Sequence, residues 1–323
     1  MAEAARPLRI WAVSDGRAGI EAQALGLAEA VARLRPAHIT IKRIGWKAGL
    51  GRLPWWWIPM AARTGDPVAA PWPDIWIATG RATLPLSTRL QSLAAGKTFV
   101  VQTQDPRARL SRFDLVVPPA HDGLVGGNVF PILGAPNRIS PERLTLERAK
   151  FHDAFATLPR PVVAVMVGGK SRAHDLPGGL ATTMARQIAV TVRAAGGSVL
   201  VSFTRRTPQA ARDAITAELG TLPGMIWDGT GENPYVGFLA TADVILVTED
   251  STNLATDAAA TGRPLFILTM LGRSAKLARF HKDLRARGIS RPFGGNLTAD
   301  GYVPLAETDR AARELLRRYD GST

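Results

Sequence analysis

The stretch from Asp243 to Leu268, DVILVTEDSTNLATDAAATGRPLFIL, constrains the fold more than any other part of this chain. Its first apolar run, Val244 to Val247, has no polar face, as expected of a strand covered on both sides of a parallel sheet. A polar cluster follows: Thr248, Glu249, Asp250, Ser251, Thr252 and Asn253. Leu254 to Thr261 is Ala-rich and reads as a short helix, stopped by Gly262 and Pro264. Leu265 to Leu268 supplies the next strand. The result is one βαβ unit, with its polar turn at the carboxyl end of a strand, where open α/β sheets take ligands. N–H groups at a helix start, with hydroxyls beside them, suit a phosphate, although the same residues would also serve as plain helix caps.

The rest of the chain repeats that pattern. Leu8 to Val13 reads as a strand, and Ser14-Asp15-Gly16-Arg17-Ala18-Gly19 as a turn into a helix whose apolar face carries Leu25, Leu27, Ala28, Val31 and Leu34. Gly16 and Gly19 allow close backbone approach, and Asp15 and Arg17 put charge in so tight a loop; the spacing is not GxGxxG. Strands are expected at His38–Ile44, within Pro73–Arg81 leading into a glycine turn, at Thr98–Gln102, at Phe113–Val117 and at Asn128–Leu133. His121-Asp122 follows one strand end and is a candidate base with its neighbour. Pro141 to Pro159 reads as a helix, and Pro159-Arg160-Pro161 as a linker. A buried strand then begins at Val162 and ends in Gly168-Gly169-Lys170-Ser171-Arg172, a phosphate-like turn without the spacing of a Walker loop. Ser198–Phe203 ends in Thr204-Arg205-Arg206-Thr207, where two adjacent arginines could clamp a phosphate or carboxylate. Ala275 to Gly288 reads as a basic amphipathic helix that includes His281. Strand after strand ends in a polar or glycine turn, which is a doubly wound α/β pattern.

Composition narrows the function classes. The chain has 323 residues, suggesting two domains, and no cysteine, which excludes disulfides and thiolate chemistry. The start is expected not to be a secretory signal, and no run approaches the ~20 apolar residues needed to span a bilayer, so a cytoplasmic location is expected. The net charge is +13; residues 1–160 hold 21 basic and 12 acidic side chains, which favours an anionic partner on that side. No nucleic-acid-binding module is recognised. The segment 46–63 interleaves Trp46, Trp55, Trp56 and Trp57 with Lys47, Arg52 and Arg63, with Arg43 just ahead of it. It could rest on an anionic lipid or membrane interface such as the inner membrane, or fold down as an apolar lid.

Glu249, seven residues, then Asp257 leading into DAAATGRP resembles the nucleotide-sugar signature of GT-B glycosyltransferases. Beyond that motif, SDGRAGIEAQALGLAEA, FDLVVPPAHD, NVFPILGAPNRI, FTRRTP, VTEDSTNLATDAAATGRP and SAKLARFHKDLRARGISRPFGG resemble, in order, a bacterial member of the family named after the plant "elongated mitochondria" fission factor. That resemblance implies two Rossmann-like doubly wound domains facing across a cleft. Residues 1–159 would form the acceptor side and 160–323 the nucleotide-sugar side, with the terminal helices able to pack back on the first. It implies either a metal-independent glycosyltransferase acting on a cell-envelope or lipid-linked acceptor, a nucleotide-sugar epimerase, or a non-catalytic adaptor. On the enzyme reading the nucleoside-diphosphate sugar is a substrate and no cofactor is implied. The donor would meet Gly169, Ser171, Arg205, Arg206, Glu249, Ser251, Thr252 and Asn253, with Asp257 on the ribose. Gly16 and Arg17 would face the acceptor, and Asp15 or His121 would act as base.

Overall fold

A computed structural model describes residues 6–47, 50 and 53–322. The chain divides into two compact units, Met1–Arg138 with Ala306–Thr323, and Ile139–Leu305. The helical region around Pro141 therefore belongs to the second unit, and Pro159-Arg160-Pro161 lies inside that unit rather than between the two.

In chain order the first unit contains β1 (Leu8–Ser14), α1 (Ala18–Leu34), β2 (Ala37–Trp46), β3 (Arg63–Gly65), β4 (Ile75–Ala78), α2 (Leu84–Leu93), β5 (Phe99–Gln102) and β6 (Leu115–Val116). The strand order is β3-β2-β1-β4-β5-β6, parallel except for β3. Alternation along the central strands explains why helices cover both faces. Ile10, Ala12, Ile75 and Ile77 bury one way, against Leu27, Ala28 and Val31 of α1. Val13, Trp76 and Ala78 bury the other way, with Leu86 and Leu90 of α2. Asn128–Leu133 does not form the expected strand. It touches the sheet only through single bridges, Val116 to Val129 and Pro119 to Ile132, because Pro118, Pro119 and Pro131 remove ladder donors.

The second unit contains α3 (Pro141–Lys150), α4 (His152–Phe155), β7 (Val162–Val167), β8 (His174–Asp175), α5 (Gly178–Ala194), β9 (Ser198–Phe203), α6 (Gln209–Leu219), β10 (Gly224–Ile226), α7 (Tyr235–Thr241), β11 (Val244–Thr248), α8 (Thr252–Ala259), β12 (Leu265–Leu268), β13 (Leu271–Gly272), α9 (Ala275–Ala286) and β14 (Ser290–Pro292). The expected single helix of 141–159 is thus two, separated at Phe151. Its sheet runs β10-β9-β7-β11-β12-β14, parallel throughout. Every residue of β7, β11 and β12 is buried, which is why these strands read as unbroken apolar runs. The last helix, α10 (Glu307–Asp320), returns to the first unit and buries Ala311, Ala312 and Leu315 beside α1.

Both strand orders reverse at the first strand of the unit: β2-β1-β4 in one, β9-β7-β11 in the other. Chains diverge to opposite faces at such a point and leave a crevice beyond the strand ends. In the second unit, the loops flanking that crevice are 168–173 and 249–251.

Candidate functional site

The crevice of the second unit is organised by a carboxylate that the sequence reading passed over. Asp250, with its side chain fully enclosed, accepts the Gly169 N–H at 3.0 Å and the Thr248 hydroxyl at 2.8 Å, and pairs with the Arg206 guanidinium at 2.9 Å. Thr248 in turn accepts the Gly168 N–H at 2.7 Å. Three loops, from the ends of β7, β9 and β11, are therefore fastened at one point. A buried carboxylate with a cation and two neutral donors is satisfied; without them it would be very costly.

This arrangement explains the two glycines differently from a simple phosphate cradle. A Cβ on Gly168 would lie 2.0 Å from an Asp250 oxygen, and one on Gly169 would lie 2.1 Å from the Arg206 carbonyl. Both positions need glycine because protein atoms occupy the space. Ser171 closes its own loop: its hydroxyl accepts the N–H groups of Ala173 and His174 at 3.2 and 3.0 Å. β8 then pairs with β13, which brings the Arg273 backbone against Ala173 at 2.8 Å.

Positive charge collects on these loops. Lys170 pairs with Asp175 at 3.4 Å, while Arg172, Arg205 and Arg273 are exposed and make no side-chain hydrogen bond or ion pair among the described residues. The helix start adds donors. Ser251 caps α8 by accepting the Leu254 N–H at 3.3 Å, and the N–H of Thr252 ahead of it has no acceptor among the described residues. Asn253 sits in the same first turn.

Glu249 plays a structural part. Its N–H donates to the Leu268 carbonyl at 3.0 Å, its carboxylate accepts the Met270 N–H at 2.6 Å, and its carbonyl accepts the His281 Nε2–H at 2.8 Å. His281, grouped by sequence with the exposed basic residues of its helix, is in fact buried with Phe280 and Leu284. Its helical position falls on the apolar side, and only the three-dimensional packing identifies it.

Asp257 lies in the second turn of α8 and accepts the Tyr235 hydroxyl at 2.8 Å. Burial of the Asp257 carboxyl pushes its pKa up to about 7, and Tyr235 and the nearby Arg143 only partly offset this. Beside Tyr235 the chain lines a cavity of about 390 Å³ with Phe151, Met225, Trp227, Thr230, Glu232 and Pro234.

The remaining predicted residues lie in the first unit. Ser14 accepts the Gly16 N–H at 3.1 Å, and Gly16 has φ +78°, which accounts for glycine in this turn. Asp15 is held by Arg17 in an ion pair of 2.7 Å, so both charges are already partnered. His121 is buried in a single 3-10 turn, Ala120–Asp122. Arg43 pairs with Glu21 at 2.7 Å. Trp46 donates to the Ala82 carbonyl at 2.9 Å, whereas Trp56 and Trp57 are 56 % and 68 % exposed on a 3-10 turn at Trp55–Trp57. Lys47 is exposed; Gly49, Gly51 and Arg52 of this segment lie outside the described residues.

Two parallel, Rossmann-like sheets of matching strand order, with a switch-point crevice, define a GT-B-like α/β protein. Solved structures with this fold include the UDP-GlcNAc 2-epimerase from Methanocaldococcus jannaschii, with a TM-score of 0.55, 12 % identity, and coverage of 96 % of this chain and 100 % of that one. Another is the UDP-GlcNAc 2-epimerase from Neisseria meningitidis bound to UDP-GlcNAc, with a TM-score of 0.50, 11 % identity, and coverage of 96 % and 100 %. The chain belongs to the Mitochondrial fission ELM1 family, whose profile matches residues 18–319. It is 33 % identical over 272 residues to the Mitochondrial fission protein ELM1 of Arabidopsis thaliana; the match covers 76 % of this chain but 64 % of the plant protein, less than two thirds of its length. It is also 25 % identical to the uncharacterized protein RP120 of Rickettsia prowazekii (strain Madrid E), over 94 % of this chain and 97 % of that protein.

Proposed function

We propose that the second unit binds a nucleoside-diphosphate sugar and that the chain is a nucleotide-sugar enzyme, with glycosyl transfer to a cell-envelope or lipid-linked acceptor as the reaction. The observation that carries this reading is the Asp250 junction. It sets Arg206, the start of α8 and the unpaired cations Arg172, Arg205 and Arg273 on loops around one switch-point crevice. Guanidinium groups and helix-start N–H donors are suited to two adjacent phosphates. Aimed at a leaving diphosphate, they would stabilise the charge that develops as the glycosidic bond breaks. Asp257 with Tyr235 would meet the ribose, and the neighbouring apolar cavity has room for a base. A protein of this fold holds UDP-GlcNAc, which is compatible with the reading and also keeps epimerisation open.

On the acceptor side, Asp15 or His121 would serve as base, with Gly16 and Arg17 lining the approach. Exposed Trp56 and Trp57 beside Lys47 would rest on an anionic membrane that carries a lipid-linked acceptor. Membership of a family named for mitochondrial fission favours a second reading, a non-catalytic adaptor that keeps the fold and recruits a protein.

A thermal-shift panel of UDP-, GDP-, ADP-, TDP- and CMP-sugars separates the two. Binding at 100 times Kd stabilises by about 2.7 kcal/mol, a shift of several degrees. Arg205→Ala and Arg172→Ala, which remove no side-chain hydrogen bond or ion pair among the described residues, are expected to weaken the active ligand about tenfold each. A flat response to every nucleotide would overturn the enzyme reading. Unchanged affinity in both variants would move the site elsewhere.

A further inference from the structure

We infer that His281 is a positioning residue: its neutral, Nε2-protonated imidazole holds the Glu249–Ser251 turn, and with it the anion site, in binding geometry. The substrate part of this inference rests on the nucleotide reading above; the part about the turn does not.

The tautomer follows from the partner. A carbonyl oxygen only accepts, so the contact to Glu249 at 2.8 Å places the proton on Nε2. Nδ1 is then a bare acceptor, enclosed by protein and without a hydrogen-bond partner among the described residues. A second proton would put both a charge and an unmatched donor into that enclosure. The groups that face the ring are Glu249 on the turn after β11, His174 on β8 and Arg285 on its own helix. Burial lowers the pKa of His281, and His174 and Arg285 lower it further, while Glu249 opposes. His174 is itself buried, with its Nδ1 enclosed and unpartnered.

The turn depends on this contact because Glu249 is fixed at three places and the next two residues build the site. Its N–H goes to Leu268, its carboxylate to Met270 and its carbonyl to His281. Asp250 then ties Gly169 and Arg206, and Ser251 caps α8. Releasing the carbonyl would let the peptide between Glu249 and Asp250 rotate. The Asp250 carboxylate would swing with it, away from the guanidinium it orients.

Two variants test this. His281→Gln keeps an N–H at nearly the same distance from Cα and does not titrate; His281→Leu keeps only the volume. Backbone hydrogen exchange at Glu249 and Leu254 needs no ligand. Protection at these amides should fall at least tenfold in His281→Leu with the far-UV spectrum unchanged, and be retained in His281→Gln. Wild-type protection, corrected for intrinsic exchange, should be lost on acidification, at a pH below the ordinary imidazole range because burial lowers the pKa of His281. In His281→Gln it should stay flat. UDP affinity should follow the same order: wild type and Gln alike, Leu at least tenfold weaker. Equal protection in wild type and His281→Leu would overturn the inference, as would a pH-dependent loss that persists in His281→Gln. If the wild type binds no nucleotide, the site reading fails while exchange still decides the role of His281.

Discussion

Asp257 holds its proton where most carboxylates have lost theirs. Its folded-state pKa of about 7 lies above the ordinary value of 3.8, so the folded chain binds that proton more tightly than the unfolded chain does. The stability this contributes is fullest below about pH 4 and declines as pH rises toward 7. Replacing Asp257 by Asn removes the titration and keeps a partner for Tyr235. We therefore expect the melting temperature of the Asn variant to vary less than that of the wild type between pH 4 and 7. An identical slope in both proteins would exclude Asp257 as the source. At neutral pH a nucleotide that meets an ionised Asp257 would draw the proton off, so binding should release protons in a buffer-dependent calorimetric titration. Among single residues, the sequence drew attention to those with a spacing or a doublet, such as Glu249 with Asp257, or Arg205 with Arg206; of these, Arg206 pairs with Asp250, Asp257 accepts from Tyr235, and Glu249 holds its turn. Asp250 stood in plain view as one of six polar residues, but nothing linear distinguishes a carboxylate turned inward from one capping a helix. That distinction depends on loops some 40 and 80 residues upstream.

The loop after β7 is the element on which local geometry presses hardest. A methyl group at Gly168 would meet the Asp250 carboxylate at 2.0 Å, and that carboxylate is held in place by Gly169, Thr248 and Arg206. Gly168→Ala is expected to destabilise the second unit by about 2–3 kcal/mol, and chemical denaturation would measure it. Gly169→Ala, facing the Arg206 carbonyl, should behave alike, whereas Gly179→Ala, with open space around it, should not. The ends of the central strands offer a parallel case. Asp74, just before β4, accepts two hydrogen bonds from the Arg6 guanidinium and one from the Arg9 N–H, and these hold its pKa down at about 2. A depressed carboxyl stabilises the fold above its unfolded pKa and loses that contribution as pH falls below about 4 toward 2. Asp74→Asn should accordingly flatten acid unfolding in that range. Elements buried on both sides were legible from sequence, because β7, Val244–Val247 of β11 and β12 are apolar without interruption. Short edge pieces were not: β3, β8, β13 and β14 have two or three residues each and are strands only because a neighbour supplies the ladder. Asn128–Leu133 failed in the opposite sense, having a strand's composition but prolines where donors were needed.

For the whole molecule, the charge and the exposed indoles make a prediction that no single element does. A chain of net charge +13 that displays Trp56 and Trp57 should sediment with vesicles containing anionic lipid and should be released by salt. Trp56→Ser with Trp57→Ser should abolish sedimentation and leave the melting temperature within about 1 °C. Wild-type protein that stays in the supernatant would remove the membrane from the proposed acceptor side. The two-unit plan was readable from the recurrence of strand and polar turn, but its boundary was not, since a proline pair marks a break in chain direction and not the edge of a core. Unit membership is decided by the last helix. α10 supplies Glu307 to the Leu133 N–H at 3.1 Å, Thr308 to the Asn137 N–H at 3.1 Å, and Asp320 to Arg35 at 2.7 Å. A ribosome delivers the chain from one end, so the unit that begins first is completed last. Until Ala306–Asp320 is added, Met1–Arg138 lacks α10 beside α1, whereas Ile139–Leu305 already has every strand it needs. The later half of the gene product can therefore reach its native state before the earlier half, and a chain stalled before Ala306 would present a finished second unit tethered to an unfinished first.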